Sequence, residues 1–122
     1  MIDKRHTARI KTVQELYTAL FPNNTSSNKL SQKTEEILQH HDHIDNLIEQ
    51  AAPKFPVPKI AFVDLSILRL AIFELIFEKK APPKVIINEA VELAKDLGSE
   101  KSPGFINAVL GKIYMHHPEK TL

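Results

Sequence analysis

Residues 64–78 read DLSILRLAIFELIFE, and between the two ends of this stretch only Arg69 and Glu74 carry charge. At this length, with Leu and Ala throughout, the run predicts a helix rather than a strand. A helix that is apolar on all sides belongs at the buried centre of a bundle, so every other element must be able to cover it. The run is too short and too interrupted to cross a bilayer, which needs about 20 apolar residues.

The remaining segments also carry helical periodicity. Ile10, Val13, Leu16, Tyr17, Leu20 and Phe21 recur at spacings of three and four and form one stripe that ends at Pro22. A polar loop over 23–28 follows. A second helix is expected from about Leu30 to Ala51, with Leu30, Ile37, Leu38, Ile44, Leu47 and Ile48 inward. Three prolines between Pro53 and Pro58 break it. After Pro82-Pro83, a helix from about Lys84 turns Ile87, Ala90, Val91, Ala94 and Leu97 inward, and Gly98 suits its C-terminal cap. Ser102-Pro103 supplies an N-cap and a first-turn proline for a last helix with Ile106, Val109, Leu110 and Ile113 as its core side. Nothing signals a hairpin or a repeat. The expectation is an all-α protein, one domain over residues 1–122.

Several chemistries are disfavoured by the residues themselves. There is no cysteine, so neither disulfides nor thiolate metal sites are expected. The charged N-terminus does not resemble a signal peptide, and the expectation is a cytoplasmic protein without a membrane role. GSEKSPG (98–104) has the ingredients of a phosphate loop but lacks its spacing, because Ser102 stands where a second glycine is needed and a helix precedes it. His40, His41 and His43 raise a metal question, but no further ligand set accompanies them, and surface histidines are the simpler reading. Arg69 and Glu74 are five residues apart, a spacing that does not pair along a helix, so they read as buried polar anchors. No nucleophile has a triad setting, and no catalytic residue or cofactor is expected.

Charge is unevenly spread. Residues 1–11 hold Lys4, Arg5, Arg9 and Lys11 against Asp3, whereas residues 30–50 hold five carboxylates against Lys33. Opposite solvated faces account for this, as do two different partner surfaces. Arg5 and Arg9 share a helix face, with Lys4, His6 and Gln14 widening its polar rim. Such a rim suits phosphates through the arginines and a base edge through Gln14.

Three blocks are more specific than their physics: RHTARIKTVQELY (5–17), DLSILRLAIFEL (64–75) and PPKVIINEAVELAKDLGSEKSPGFINAVLGKI (82–113). They resemble the signature segments of the NusB family of bacterial transcription antitermination factors, and they cover about half of the chain strongly. The resemblance implies a compact helical bundle of two small packed sub-bundles. It also implies a non-enzymatic RNA-binding adaptor that binds boxA-type single-stranded RNA of ribosomal RNA transcripts, together with the ribosomal protein NusE, in an RNA polymerase antitermination complex. Carried onto matching positions, the RNA side is Arg5, His6, Arg9, Gln14, Lys101, Ser102, Phe105 and Asn107. The protein-partner side is Tyr17 and Asp64.

The physics of the second half of that RNA side is compatible. Amides of residues 102–104 at a helix start suit an anion, and Phe105 suits either a base or the space between helices. Asn107 otherwise reads as a polar residue bonding to the preceding turn. The chain departs from the family pattern at three positions: His6 stands where an arginine is common, Thr12 replaces a usual alanine, and Ala108 replaces a usual glycine. His6 predicts weaker or more pH-dependent RNA binding. The segment between Tyr17 and Asp64 is also short for the family, which bears on the partner side. The same fold serves as the RNA-binding domain of ribosomal RNA cytosine methyltransferases; with Leu122 as the last residue, a non-catalytic chain is expected. The alternative is a protein-interaction module of this fold that has lost RNA binding.

Overall fold

The computed structural model describes residues 3–23 and 29–117. Most of the predicted polar loop over 23–28 lies outside them. In chain order the elements are α1 (Lys4–Ala19), α2 (Gln32–Gln39), α3 (His41–Ala51), a short 3-10 turn (Val57–Lys59), α4 (Phe62–Ile72), α5 (Pro83–Leu97) and α6 (Ser102–His116). Among the described residues there is no strand. The all-α expectation holds.

Helix α4 is the centre. Residues 65 to 72 are buried without exception, and α1, α3, α5 and α6 all pack on it. Helices α5 and α6 form the most extensively packed pair, while α2 bridges α1 and α3. Helices α1, α2 and α3 and the α5–α6 pair share with α4 a contiguous core that includes Leu16, Ile37, Ile48, Leu68, Leu93 and Leu110. On α5, Ala90 and Ala94 are buried as expected, Ile86 and Leu93 are buried with them, and Ile87, Val91 and Leu97 are only half-buried.

The long second helix is in fact two. His40 leaves helical geometry (φ −100°, ψ 10°), and its ring Nδ1–H donates to the Glu36 carbonyl at 2.9 Å. The ring also lies on Phe77, with centroids 4.3 Å apart. No proline or glycine marks this break, which a tertiary contact with the end of the central run stabilises. That run itself changes pitch: Phe73–Glu78 form a π-helical turn, closed by Lys79 in the left-handed region (φ 55°).

The two charges of the central run are buried and paired across helices, as anchors. Arg69 donates from Nε and Nη2 to the Asp45 carboxylate of α3 at 3.0 and 2.7 Å. Glu74 accepts from Arg9 Nε and Nη2 of α1 at 3.0 and 2.8 Å. A third tie joins α1 to α2. Glu15 accepts from the Ser31 amide, the Ser31 hydroxyl and the Thr34 hydroxyl at 2.9, 3.0 and 2.7 Å. Burial alone would raise the Glu15 carboxyl, but these donors outweigh it and hold it below the usual range.

Removing one partner of a buried bidentate pair leaves an uncompensated charge, which is worse than removing both. Asp45→Ala is expected to lower the unfolding free energy by about 3 kcal/mol, and Asp45→Leu with Arg69→Met to recover most of it. Urea denaturation checks both.

Candidate nucleic-acid interface

The turn between α5 and α6 is built around a close approach. Gly98 is the C-cap of α5, as expected from sequence, with extended geometry (φ −98°, ψ −164°) and its amide donating to the Ala94 carbonyl at 2.9 Å. Its lack of a side chain is required for space, since a Cβ there would sit 2.5 Å from Ser102 Oγ and 2.9 Å from the Ala94 carbonyl oxygen. Ser102 is correspondingly buried and is the first residue of α6, not its N-cap. Its hydroxyl accepts from the Ser99 amide at 2.9 Å, and its own amide donates to the Ser99 carbonyl at 3.1 Å.

The amide cluster expected at residues 102–104 is therefore reduced. Ser102's amide is used, Pro103 has none, and at most the Gly104 amide is left for a ligand. Ser102 positions the turn, while Lys101 and Asn107 are exposed beside it. Phe105 is half-buried and meets Phe55 edge-on, centroids 5.2 Å apart at 66°. Gly98→Ala should destabilise the protein by about 1–3 kcal/mol through overpacking, measurable by thermal or chemical unfolding.

On α1 the structure separates residues that sequence had grouped. Arg5 is exposed. Arg9 is spent on Glu74. His6 is held between two carboxylates of α5, with Nδ1 on Glu89 and Nε2 on Asp96 at 3.1 Å. A cleft of about 470 Å³ beside α1 is lined by Arg5, Arg9, Lys33 and Lys80 but also by Asp3, Glu74, Glu78 and Glu89. Its charge is balanced, unlike the basic rim anticipated from residues 1–11. Gln14 is exposed but follows Arg5 by nine residues, two and a half turns, which places it on the opposite side of α1. The His6–Asp96 contact does bring the start of α1 beside the end of α5, next to the α5–α6 turn.

The hydrogen bond with Glu89 raises the His6 pKa, with Asp96 adding to it against the opposing effect of burial. A group raised in the folded state stabilises fully below its unfolded pKa of about 6.5, and that contribution is lost as pH rises through the folded value. His6→Gln is therefore expected to lower the melting temperature more at about pH 6 than at about pH 9. Paired thermal scans of wild type and variant at the two pH values check the sign.

The stripe predicted for α1 also divides. Val13 and Leu16 are buried, whereas Tyr17 and Phe21 are 36% and 43% exposed. Tyr17, Phe21 and Phe62 form a three-ring cluster with centroid separations of 5.2 to 6.3 Å, all edge-to-face. Asp64, in the first turn of α4, is half-buried, and its Oδ1 has no hydrogen-bond partner among the described residues. Sequence reasoning singled out Tyr17 and Asp64 and missed Phe21 and Phe62 as exposed aromatics. The i, i+4 spacing of Tyr17 and Phe21 was the available signal.

The histidines turn to other tasks. His40 and His43 lie against Phe77, and His41 Nδ1–H donates to the Leu38 carbonyl. Among the described residues no cluster of three or more His, Asp or Glu is arranged to hold a metal, and no helix is long and apolar enough to cross a membrane.

Among the described residues, six α-helices form an all-α bundle that carries an exposed aromatic cluster at Tyr17, Phe21 and Phe62 and a turn with Lys101 beside Phe105. Comparison with known sequences is more specific, and the chain belongs to the NusB family, whose model matches residues 4–115. It is 48% identical over 85 residues to the transcription antitermination protein NusB of Roseiflexus castenholzii, covering 68% of this chain and 60% of that protein. For the protein of the same name from Chloroflexus aggregans the identity is 48% over 77 residues, covering 62% and 51%. The matched segment thus spans between half and three-fifths of these relatives' length. The structure of T. maritima NusB superimposes with a TM-score of 0.80 at 29% identity, covering 98% of this chain and 96% of that one. A structure of the antitermination factors NusB and NusE in complex with double-stranded RNA gives 0.74 at 25% identity, covering 95% and 99%.

Proposed function

We propose that this chain is a non-enzymatic RNA-binding adaptor of transcription antitermination. It binds boxA-type single-stranded RNA of ribosomal RNA transcripts together with the ribosomal protein NusE, within a cytoplasmic RNA polymerase antitermination complex. The observation that carries the reading is the presence of two distinct exposed surfaces on a family scaffold. One is the Tyr17–Phe21–Phe62 cluster, an apolar patch of the kind that marks protein contacts. The other joins Lys101, Phe105 and Asn107 to the start of α1 through His6 and Asp96.

Within this reading the residues divide by task. Arg5, Lys101 and Asn107 reach phosphates or base edges, and Phe105 offers a stacking face. His6, Arg9 and Ser102 hold α1 and the α5–α6 turn in place through their carboxylate and amide partners. Gln14 lies on the partner side of α1 with Tyr17 and Phe21. Tyr17 and Asp64 belong to the NusE contact, where the unpartnered Asp64 oxygen would accept a hydrogen bond. A second reading, an interaction module without RNA binding, is favoured by one observation: Glu74, Glu89 and Asp96 neutralise Arg9 and His6.

Titration of labelled boxA-type RNA with and without NusE, at two salt concentrations, separates the readings. Binding is expected to tighten with NusE and to weaken with salt as counterions are released. Arg5→Ala should weaken it and reduce the log–log salt slope by about 0.7, the value for one single-strand phosphate contact. Phe105→Ala should weaken it at unchanged slope. Tyr17→Ala should abolish the NusE enhancement while leaving binding to RNA alone intact. Binding no tighter than to an unrelated RNA, with NusE present, overturns the adaptor reading; retained NusE binding would then establish the interaction module.

A further inference from the structure

A groove of about 490 Å³ runs between the end of α3 and the outer face of α6, within the range of about 300–1,000 Å³ common for ligand clefts. Phe105, Ala108, Val109 and Lys112, at helical spacing on α6, form one wall, and Lys54 and Phe55 stand opposite. Among the described residues no carboxylate lines it, in contrast to the charge-balanced cleft beside α1. Phe55 is 55% exposed although it is a large aromatic. Its position is set locally: its amide donates to the Ala52 carbonyl at 2.9 Å, and Pro56 after it restricts its backbone to extended conformations. An exposed ring that is already ordered loses little freedom when a ligand covers it. In its edge-to-face contact with Phe105, one ring keeps both faces clear of the other.

We infer that this groove takes an unstacked base of single-stranded RNA, with Phe55 and Phe105 as its platform and Lys54 and Lys112 on the flanking phosphates. The inference rests on the RNA-binding reading and extends that surface past Phe105, away from α1. Two observations select a polyanion with flat apolar rings over an apolar peptide. Among the described residues the charges that line the groove are cationic, and a peptide without acidic groups would leave both lysines without a counter-charge. The groove is also continuous, through Phe105, with the turn that carries Lys101. Because α3 ends here with its carbonyls outward, the lysines supply the positive field, which makes salt dependence a direct probe of them.

The experiment measures fluorescence anisotropy of a labelled boxA-type single-stranded oligonucleotide with the full chain. Phe55→Ala is expected to weaken binding about tenfold or more, and Phe55→Trp to retain it. The Lys54→Ala/Lys112→Ala double variant should reduce the salt slope by about 1.4, two single-strand contacts. Ultraviolet crosslinking of iodouridine-substituted RNA to the wild-type protein should place adducts on Phe55 or Phe105, a readout independent of variant folding. Wild-type binding with both variants unchanged and adducts elsewhere overturns the groove while leaving RNA binding intact. Loss of NusE binding, but not RNA binding, in Phe55→Ala assigns the groove to protein and overturns the inference. No RNA binding by the wild type overturns both.

Discussion

The arrangement depends on how α4 carries charge through the centre of the protein. A helix buried on all sides cannot leave an arginine and a glutamate unpaired, because desolvating either without a partner costs several kcal/mol. Arg69 and Glu74 are five residues apart and do not meet each other. Each therefore needs a partner from another helix: Asp45 of α3 for one and Arg9 of α1 for the other. These bidentate contacts favour one register of α1 and of α3 on α4, a selectivity that apolar packing alone supplies less sharply. The π-helical turn at Phe73–Glu78 lies where Glu74 must face α1, and it begins one residue before that carboxylate.

This constraint shapes the surface. The cation that α1 delivers to Glu74 is no longer a free positive charge, and His6 is likewise engaged by Glu89 and Asp96. The basic character of residues 1–11 is thus partly used to assemble the bundle. What remains exposed of residues 1–11 is Lys4, Arg5 and Lys11, and elsewhere Lys101 lies exposed at the α5–α6 turn and Lys54 and Lys112 around the two phenylalanines. On the other side, burial of Val13 and Leu16 leaves Tyr17 and Phe21 to meet Phe62 at the surface, and an exposed three-ring cluster results.

Much of the fold was legible because it follows from periodicity. The all-round apolar α4, the α6 core stripe Ile106–Val109–Leu110–Ile113 and the proline breaks at 53–58 and 82–83 are local patterns with local causes. The break at His40 was not legible, since it involves a ring resting on Phe77, 37 residues further along the chain. The α1 stripe was read as one apolar face, but periodicity assigns residues to a face and does not say how wide the covering neighbour is. Gly98 was recognised as the cap of α5; that it also provides room for Ser102 only the packing of the α5–α6 turn reveals.

The sequence by itself determined the helical class, the central place of α4, the family blocks and the residue types available for binding. Those properties depend on composition and on spacing within a turn or two of chain. Tertiary structure decided which charged groups remain available, because pairing Arg9 with Glu74, across 65 residues of chain, is an event of folded geometry. It also decided that Phe55 and Phe105, 50 residues apart, share one groove, and that Gln14 stands away from Arg5. Burial and charge pairing are properties of neighbours in space, and a linear pattern names the groups without saying which of them meet.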